Sequence, residues 1–425
     1  MNRREYLKHF MIILSGNGAA QVVNLLSYAF LARLYAPQAF GIFATFVAAS
    51  AIPGAIACAR FDVAVPVAPR RGRFGILWLC VAVAAFMGLV SIAGGAIYWA
   101  TAGVDWNWEL PVLLGLCVFL TGLCSAESMF LMRHDRYRAS SASLLLRTGS
   151  AVLVQIGLGL TAATSFSLVV GFVFGLVAQA TMLSLIIWKR LSPGRPKPRD
   201  MRAMFRRFRR QVAMDVPSTL LAALSLNLPV FLLAALYDKP TVGFFAISNR
   251  LAVAPLALFN QALSQIFYQK AARARETKGH FWDEMKFGLL TSGILSLVVL
   301  ALIVLLARPF IHLYLGAKWS PSAEMLIILA PMLTVSSVAQ SITTAVFVLR
   351  RPHWRLIHTV VGLALHAVAF AIAVQFHWAV TTYLIVVSSL FVVEWGAYAL
   401  LLVVASRRHF TAVNASRLPR PQASI

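Results

Sequence analysis

The chain alternates long apolar stretches with short polar ones. Most of the apolar runs are about 20 residues long, and a helix of that length crosses the roughly 30 Å hydrocarbon core of a bilayer. Six runs precede a long basic segment and six follow it. The pattern therefore predicts twelve transmembrane helices, at about 9–34, 38–66, 76–101, 110–132, 139–161, 166–188, 214–236, 241–269, 287–306, 323–349, 356–375 and 382–405.

Two stretches of the chain repeat each other at a fixed offset. The segment YAPQAFGIFATF, from Tyr35, aligns without a gap to YDKPTVGFFAIS, which begins 202 positions later at Tyr237. Agreement continues on both sides over about forty residues, which indicates a structural repeat. Because each half holds an even number of spans, the two halves enter the membrane in the same direction, as in parallel-repeat transporters. The matched residues include Leu26, Leu31, Ala32, Leu34, Gly41, Phe43, Ala44 and Pro53, which fall on Leu228, Leu233, Ala234, Leu236, Gly243, Phe245, Ala246 and Pro255.

The predicted architecture is an all-α integral membrane protein with two six-helix lobes. The basic segment between the lobes begins with a Pro-rich stretch, after which Met201, Phe205 and Phe208 recur at helical spacing among arginines. This spacing predicts an amphipathic helix on the surface of the inner leaflet that links the lobes. The predicted divisions are an N-terminal lobe, a linker, a C-terminal lobe and a cytoplasmic tail, at 1–188, 189–211, 212–405 and 406–425.

Composition and charge agree with a polytopic membrane protein. Hydrophobic residues make up 60% of the chain and charged residues 12%, and the mean hydropathy is +0.78. The net charge of +24 could indicate a nucleic-acid partner, but 31 of the 38 Lys and Arg lie in alternate loops and at the two ends. The positive-inside rule then explains the charge as topology and places both termini in the cytoplasm.

The sequence shows no pattern typical of an enzyme. The external loops are short and carry no paired carboxylates, no nucleophile with a base and no Gly-rich phosphate loop. The four cysteines, Cys58, Cys80, Cys117 and Cys124, lie inside apolar runs, where a small hydrophobic role is expected. We therefore predict neither catalysis nor a cofactor, and no metal site.

A few ionisable residues inside the spans are the candidates for function, because charge at membrane depth is costly and faces protein or water. The cations are Arg60, Arg147 and Arg250. Glu127 and Arg147 fall at similar depth and could form a structural salt bridge. Arg60 could simply extend to the headgroups, and Arg250, about 14 Å deep, has no acid in its own span.

Two further pairs are candidates for coupling or gating. Glu394 and His366 both fall near mid-membrane, where a histidine could take part in a proton relay; a fixed polar contact between neighbouring helices is the alternative. Pro53 and Pro255 occupy matched positions of the repeat. Matched helix bends there could form a gate, or they could only shape the packing.

Several motifs together resemble a known family. They are YAPQAFGIFATF, RHDRYRASSASLLLRTGSA, VGFFAISNRLAVAPLALFNQALSQIFYQ and LGAKWSPSAEMLIILAP. In this order and spacing the chain is similar to the bacterial polysaccharide transporters of the MOP superfamily, which also contains the MATE multidrug extruders and the peptidoglycan precursor flippases. The resemblance implies a MATE-like pair of lobes that moves an undecaprenyl-pyrophosphate-linked oligosaccharide across the bacterial inner membrane by alternating access, for O-antigen lipopolysaccharide or exopolysaccharide.

In that setting Arg250, Arg60 and Arg147 are the predicted substrate-binding residues, since guanidinium groups pair bidentately with phosphate oxygens. The expected partners are the lipid-linked oligosaccharide, membrane lipids, and the polymerase and glycosyltransferases of the same pathway. The first span has no carboxylate, which puts in doubt a cation site of the kind proposed for some drug extruders. Two alternatives stay open: a MATE-like cation-coupled multidrug antiporter, and a membrane polymerase or ligase of the same pathway.

Overall fold

The protein is helical throughout the residues that its structure, a computed structural model, describes: 3–69, 72–102, 108–191 and 197–417. This confirms the predicted all-α class. The helices are α1 (Arg3–Leu34), α2 (Pro37–Ala55), α3 (Arg73–Ala102), α4 (Glu109–Arg133), α5 (Tyr137–Thr161), α6 (Ser165–Leu191), α7 (Pro198–Leu236), α8 (Lys239–Lys278), α9 (Trp282–Tyr314), α10 (Ser320–Ile342), α11 (Ala345–Val348), α12 (His353–Phe376) and α13 (Val380–Arg417).

Most of these helices have the length and composition of membrane spans. Ten segments of the described chain are long and apolar enough to cross a bilayer. The helices α1 and α8 are not among them, but at 32 and 40 residues they extend about 48 and 60 Å. The protein is therefore a multi-pass membrane protein, built from the helices that the apolar runs predict.

The main difference from the predicted spans lies in α2. The apolar run continues to Pro66, but the helix ends at Ala55. Pro53 lacks a backbone N–H and Gly54 follows it, and both residues weaken a helix at this point. A series of turns and a short 3₁₀ helix, Phe61–Ala64, complete the segment. Apolar composition alone could not show this break, because the turn residues are themselves buried.

The basic linker differs as well. Its first three residues are the end of α6. From Pro198 on it is not a separate surface helix but the beginning of α7, which continues into the seventh span without interruption. Its apolar face packs on other helices, since Met204 is buried and the ring centroid of Phe205 lies 5.8 Å from that of Phe61. No helix-breaking residue separates the arginine-rich part from the apolar part before Pro217.

By its internal contacts the chain forms two compact units, Met1–Ala246 and Ile247–Ile425. In the first unit α5 packs on α6 and on α1, α3 packs on α4, and α2 packs on α7. Tyr35, between α1 and α2, is fully buried and donates a hydrogen bond of 2.6 Å to the Gln155 carbonyl. Burial raises the pKa of the Tyr35 phenol, so the phenol remains a neutral donor that fixes the α1–α2 turn on α5.

The first unit also contains a contact between two segments of the repeat. Gly41, in α2, faces the beginning of α8 at Lys239, and Gly243, in α8, faces the beginning of α2 at Pro37. A Cβ on Gly41 would lie 3.2 Å from the Gly243 nitrogen, and a Cβ on Gly243 would lie 3.1 Å from the Gly41 nitrogen. Since the repeat offset relates Gly41 to Gly243 and position 37 to position 239, the contact is reciprocal, as across a local two-fold axis.

In the second unit α10 packs on α9 and on α13, and α12 packs on α13. Its core is formed by large side chains from the beginning of α9, the end of α10 and the middle of α13, including Phe281, Met285, Ile342, Tyr398 and Leu402. Trp354 and Trp395 pack against the edge of this core.

Candidate functional site

The break after α2 brings Arg60 and Asp62 together. On a continuous helix residues two apart point to different sides, but Arg60 here has a left-handed backbone, with φ of 62°. Its Nη1 lies 3.9 Å from Asp62 Oδ2, and Ser125 in α4 donates a hydrogen bond of 2.7 Å to the same oxygen. A left-handed non-glycine residue costs on the order of 1 kcal/mol or more, so the surrounding packing must hold this turn in place.

The same turn is tied to the end of α4. Arg133 Nη1 donates to the Val65 carbonyl at 2.6 Å, which satisfies a backbone acceptor that the helix would otherwise have used. Within the described structure, Nε of Arg60 is buried without a hydrogen-bond partner. Arg60 therefore does not simply extend to solvent: about 30% of its side chain is exposed, and it retains unused donor capacity.

Glu127 and Arg147, which the sequence places at similar depth, have different partners. Ser184 in α6 donates to Glu127 Oε1, while Glu127 Oε2 is buried with no described partner. A cavity of about 110 Å³ adjoins this carboxylate, lined by Leu77, Trp78, Val81, Leu123, Glu127, Ser184, Ile187 and Trp188. The structural salt bridge between Glu127 and Arg147 is not formed.

Arg147 lies near the middle of the 25-residue helix α5. Its guanidinium carbon is 5.5 Å from the centroid of the Phe172 ring, a cation–π distance. No carboxylate of the described chain lies within 4 Å of its nitrogens. The first unit thus holds a half-buried guanidinium at membrane depth beside an aromatic ring.

Arg250, in the second unit, is also half-buried. It lies in α8 between Ser248, which donates a hydrogen bond of 2.7 Å to the Ser322 carbonyl, and Asn260, which accepts one of 2.7 Å from Ser337. These two bonds attach α8 to α10 on either side of Arg250. The backbone that carries the guanidinium is therefore firmly positioned.

Glu394, the acidic candidate of the second unit, pairs with a histidine that the sequence analysis did not single out. Nδ1 of His358 in α12 contacts Oε1 of Glu394 in α13. His366 instead donates from Nδ1 to the Gly362 carbonyl at 3.0 Å, with its ring 4.2 Å from that of Phe391. The predicted pair of Glu394 with His366 is therefore absent, and His358 takes its place. His358 was missed because it falls near the predicted end of a span.

The two prolines of the repeat do not have matching surroundings. The helix α2 ends two residues after Pro53, whereas α8 continues to Lys278, well past Pro255. The side chain of Pro255 lies outside the described residues. A gating role for these prolines stays a prediction.

The fold and these residues define a class: a multi-pass helical membrane protein with a few buried or half-buried ionisable side chains within its helices. No group of three or more His, Cys, Asp or Glu in the described chain could hold a metal ion. Within that class, residues 74–324 match the family of polysaccharide biosynthesis proteins. The chain belongs to this family. A search of curated proteins finds no match.

Solved structures show the same fold. A lipid II flippase, MurJ, in an inward closed conformation shares 13% identity over 97% of this chain and 94% of that one, with a TM-score of 0.69. An inward-facing multidrug MATE transporter of the MOP superfamily shares 13% identity over 96% of this chain and 99% of that one, with a TM-score of 0.64. A MOP superfamily transporter from Pyrococcus furiosus shares 14% identity over 95% of each chain, with a TM-score of 0.57. At this identity the likeness defines the fold.

Proposed function

We propose that the protein is a flippase that moves undecaprenyl-pyrophosphate-linked oligosaccharide repeat units across the bacterial inner membrane by alternating access. The product would serve surface polysaccharide synthesis, either O-antigen or exopolysaccharide. Membership of the polysaccharide biosynthesis family supports the pathway, and the likeness to a lipid II flippase supports a fold suited to lipid-linked cargo. We expect membrane lipids and the glycosyltransferases and polymerase of the same pathway as partners.

One observation carries the proposal: Arg147 lies at mid-membrane with an aromatic ring beside it and no carboxylate of the described chain in ion-pair range. A cation at this depth is costly, by about 2.5–3.5 kcal/mol on insertion scales. That cost is offset when the guanidinium faces water or an anion. A pyrophosphate supplies such an anion, and its oxygens match the two parallel donors of a guanidinium.

Arg60 and Arg250 belong to the same proposal as further phosphate contacts. Arg60 has an unused Nε donor and a carboxylate at the outer limit of ion-pair distance. The helix that carries Arg250 is attached to α10 by hydrogen bonds on both sides of this residue. The alternation of Lys and Arg between loops supports both termini in the cytoplasm, so the cargo would enter from the side where it is synthesised.

The experiment reconstitutes the full chain in liposomes that contain undecaprenyl-pyrophosphate linked to a defined oligosaccharide. A glycosidase added outside reports how fast the sugar reaches the outer leaflet. We expect wild type to accelerate this transfer and Arg147→Ala to slow it by about 10- to 100-fold, the equivalent of a charge-assisted contact of about 1.5–3 kcal/mol. Arg147→Lys should retain part of the rate, because the charge survives without the planar fork.

The matched control is Arg308→Ala, which removes an exposed arginine of α9. It should leave the transfer rate unchanged. Folded yield is measured for every variant, so that a collapse of the protein is not taken for a loss of substrate contact. An Arg147→Ala protein that is folded and fully active would remove Arg147 from the proposal, and a wild type that moves no lipid-linked sugar would contradict the function.

One observation favours a second function, cation-coupled multidrug antiport. Glu394 lies in a cavity of about 690 Å³ with Trp354 and Tyr398 in its lining, and an acidic, aromatic-lined cavity suits amphiphilic cations. The pairing of Glu394 with His358 argues against it, because part of the negative charge is already offset. The same liposomes, loaded with a fluorescent organic cation, test this alternative. We propose no catalytic activity.

A further inference from the structure

The least explained feature of the second unit is the buried contact between His358 and Glu394. Only 12% of the His358 side chain and 5% of the Glu394 side chain are exposed. A lone carboxylate is costly to bury, and a histidine partner compensates its charge only as the imidazolium. The state of one proton therefore decides whether this part of the membrane domain contains a net charge.

The imidazole of His358 is held in a fixed orientation. The Tyr398 ring stacks on it at 4.2 Å with an interplanar angle of 6°, and the Trp395 ring meets it edge-on at 4.3 Å. The Tyr398 hydroxyl is itself within 3.1 Å of the Thr343 hydroxyl. Clamped from two sides, the imidazole keeps Nδ1 directed at the carboxylate.

The buried pair also borders a cavity. It lines the cavity of about 690 Å³ between α12 and α13, whose other walls are mostly aliphatic. Oε2 of Glu394 is buried with no described partner. A buried carboxylate oxygen without a hydrogen-bond partner is costly, so a group that binds this oxygen would stabilise the site.

The chemistry of the lining favours a proton over a metal cation. Hard cations require several oxygen ligands, whereas the cavity offers the Glu394 carboxylate and the hydroxyls of Ser389 and Tyr398 among carbon side chains. The remaining polar group of the pair is an imidazole, which binds a proton in the physiological range. The absence of a metal-ligating cluster in the described chain agrees with this choice.

Other ionisable groups near the pair are few. On α12 they are Arg355 and, two turns beyond His358, His366. On α13 Tyr398 contacts the imidazole directly. The helix α10 has no ionisable residue after Glu324, its fifth residue. The charged residues of α9 and the chain before it are paired: Asp283 lies 3.2 Å from Lys286, and Glu284 lies 3.6 Å from Lys278. The other charged residues of this region are Lys270, Arg275 and Arg350.

We propose that His358 and Glu394 together form a proton-binding site that couples a proton gradient to the movement of the cargo. In the loaded form the imidazolium and the carboxylate make a pair with no net charge. Release of one proton from the imidazole into the cavity leaves a neutral ring beside a carboxylate, and the site then carries one negative charge. The two forms differ in the cost of burial, so protonation biases any conformational change that alters access to the cavity.

This inference rests on the proposed function only for the identity of the cargo. Proton binding itself is measured without cargo, on the full chain in nanodiscs, through the pH dependence of tryptophan fluorescence. Trp395 lies against the His358 ring, and the difference between wild type and Trp395→Phe isolates its signal. We expect this signal to change with pH. His358→Gln should abolish this change, and His353→Gln, which changes an exposed histidine of the same helix, should preserve it.

Coupling is measured in liposomes as the ratio of transfer rates with and without a pH gradient. Coupling energies of 1–3 kcal/mol correspond to about 5- to 150-fold, so the wild-type ratio should be at least about fivefold. His358→Gln and Glu394→Gln should both bring the ratio to about one, whereas His353→Gln and His366→Gln should keep it. Using two variants of the pair guards against a failure of one of them to fold.

Three results would overturn the proposal. The first is a Trp395 signal that does not titrate. The second is an undiminished ratio in both His358→Gln and Glu394→Gln. The third is loss of the ratio in His366→Gln with its retention in His358→Gln, which would assign the proton to His366. A wild type that transfers no lipid-linked sugar contradicts the proposed function instead, and the proton site is then judged by the fluorescence titration alone.

Discussion

A methyl group on either glycine of the reciprocal contact should force the two helices apart. In Gly41→Ala the new carbon would lie 2.9 Å from the Lys239 carbonyl carbon, and in Gly243→Ala it would lie 3.0 Å from that of Pro37. Carbon atoms in contact normally lie about 3.5–4.0 Å apart, so the backbones must separate by up to about an ångström. Overpacking of this kind costs about 1–3 kcal/mol.

The two substitutions should not be additive. Because the contact is reciprocal, the separation that admits the first methyl group also makes room for the second. We therefore expect the double variant to lose little more stability than one single variant, with a coupling energy close to the cost of one substitution. Residues that share a contact commonly couple by about 0.5–3 kcal/mol.

The assay uses the protein's own cysteines. Cys58, Cys80, Cys117 and Cys124 are free and buried, so a thiol-reactive dye becomes fluorescent only as the full chain unfolds on heating. The matched control is Gly149→Ala, at a helical glycine with open space where its Cβ would be. There the change should be neutral or stabilising by up to about 1 kcal/mol, from helix propensity alone.

The expected order of thermal stability is Gly149→Ala at or above wild type, then wild type, then the two contact variants and the double variant close together. If Gly41→Ala and Gly243→Ala are as stable as Gly149→Ala, the helices do not cross tightly at this point. If the double variant loses the full sum of the single losses, the two glycines act independently, and the reciprocal contact is not the reason for them.

The remaining predictions concern the buried polar contacts and the topology. Tyr35→Phe should lose about 0.5–1.5 kcal/mol of stability with its hydrogen bond to Gln155, read out by the same dye. Because the pKa of Tyr35 is raised by burial, the fold holds that proton more tightly than the unfolded chain does. Wild type should therefore lose stability as the pH rises above 10, and Tyr35→Phe should lose less over the same range. Asp62→Asn should cost under about 1 kcal/mol, because its ion pair with Arg60 is long and partly exposed, and a larger loss would mean that Ser125 depends on the carboxylate charge. Reporter fusions should place Asp238 outside and Glu276 inside, and an internal Asp238 would contradict the twelve-span topology.

The sequence predicted the helices well because a bilayer imposes a minimum length of apolar chain on each of them. It predicted their ends less well. The second apolar run hides the end of α2 at Ala55, since the turn residues that follow are as hydrophobic as a helix. Hydropathy likewise divides the basic segment from the seventh span, while backbone hydrogen bonding continues through both as α7.

The partner of Glu394 shows what depth estimates lack. Measured from the turn between α12 and α13, His366 lies ten residues before the end of α12, His358 eighteen, and Glu394 fourteen residues after the start of α13. The two histidines are thus equally distant in depth from the carboxylate. Which of the two histidines faces the carboxylate depends on the rotation of α12 about its own axis. The rings of Trp395 and Tyr398 pack on His358 and favour the observed rotation. This packing between helices cannot be read from the sequence of one span.

The reciprocal glycine contact has a consequence for how such a chain could be inherited. In a homodimer of two identical six-helix chains, the same glycine would form both sides of such a two-fold contact, so a single codon would encode both. A mutation of that codon would change both sides of the contact at once, and its reversion would restore both. Once the halves are joined in one gene, as Gly41 and Gly243 are here, each codon can vary alone, yet a change in either already opens the crossing. In the fused gene the two glycines have separate codons, but the contact still requires glycine on each side.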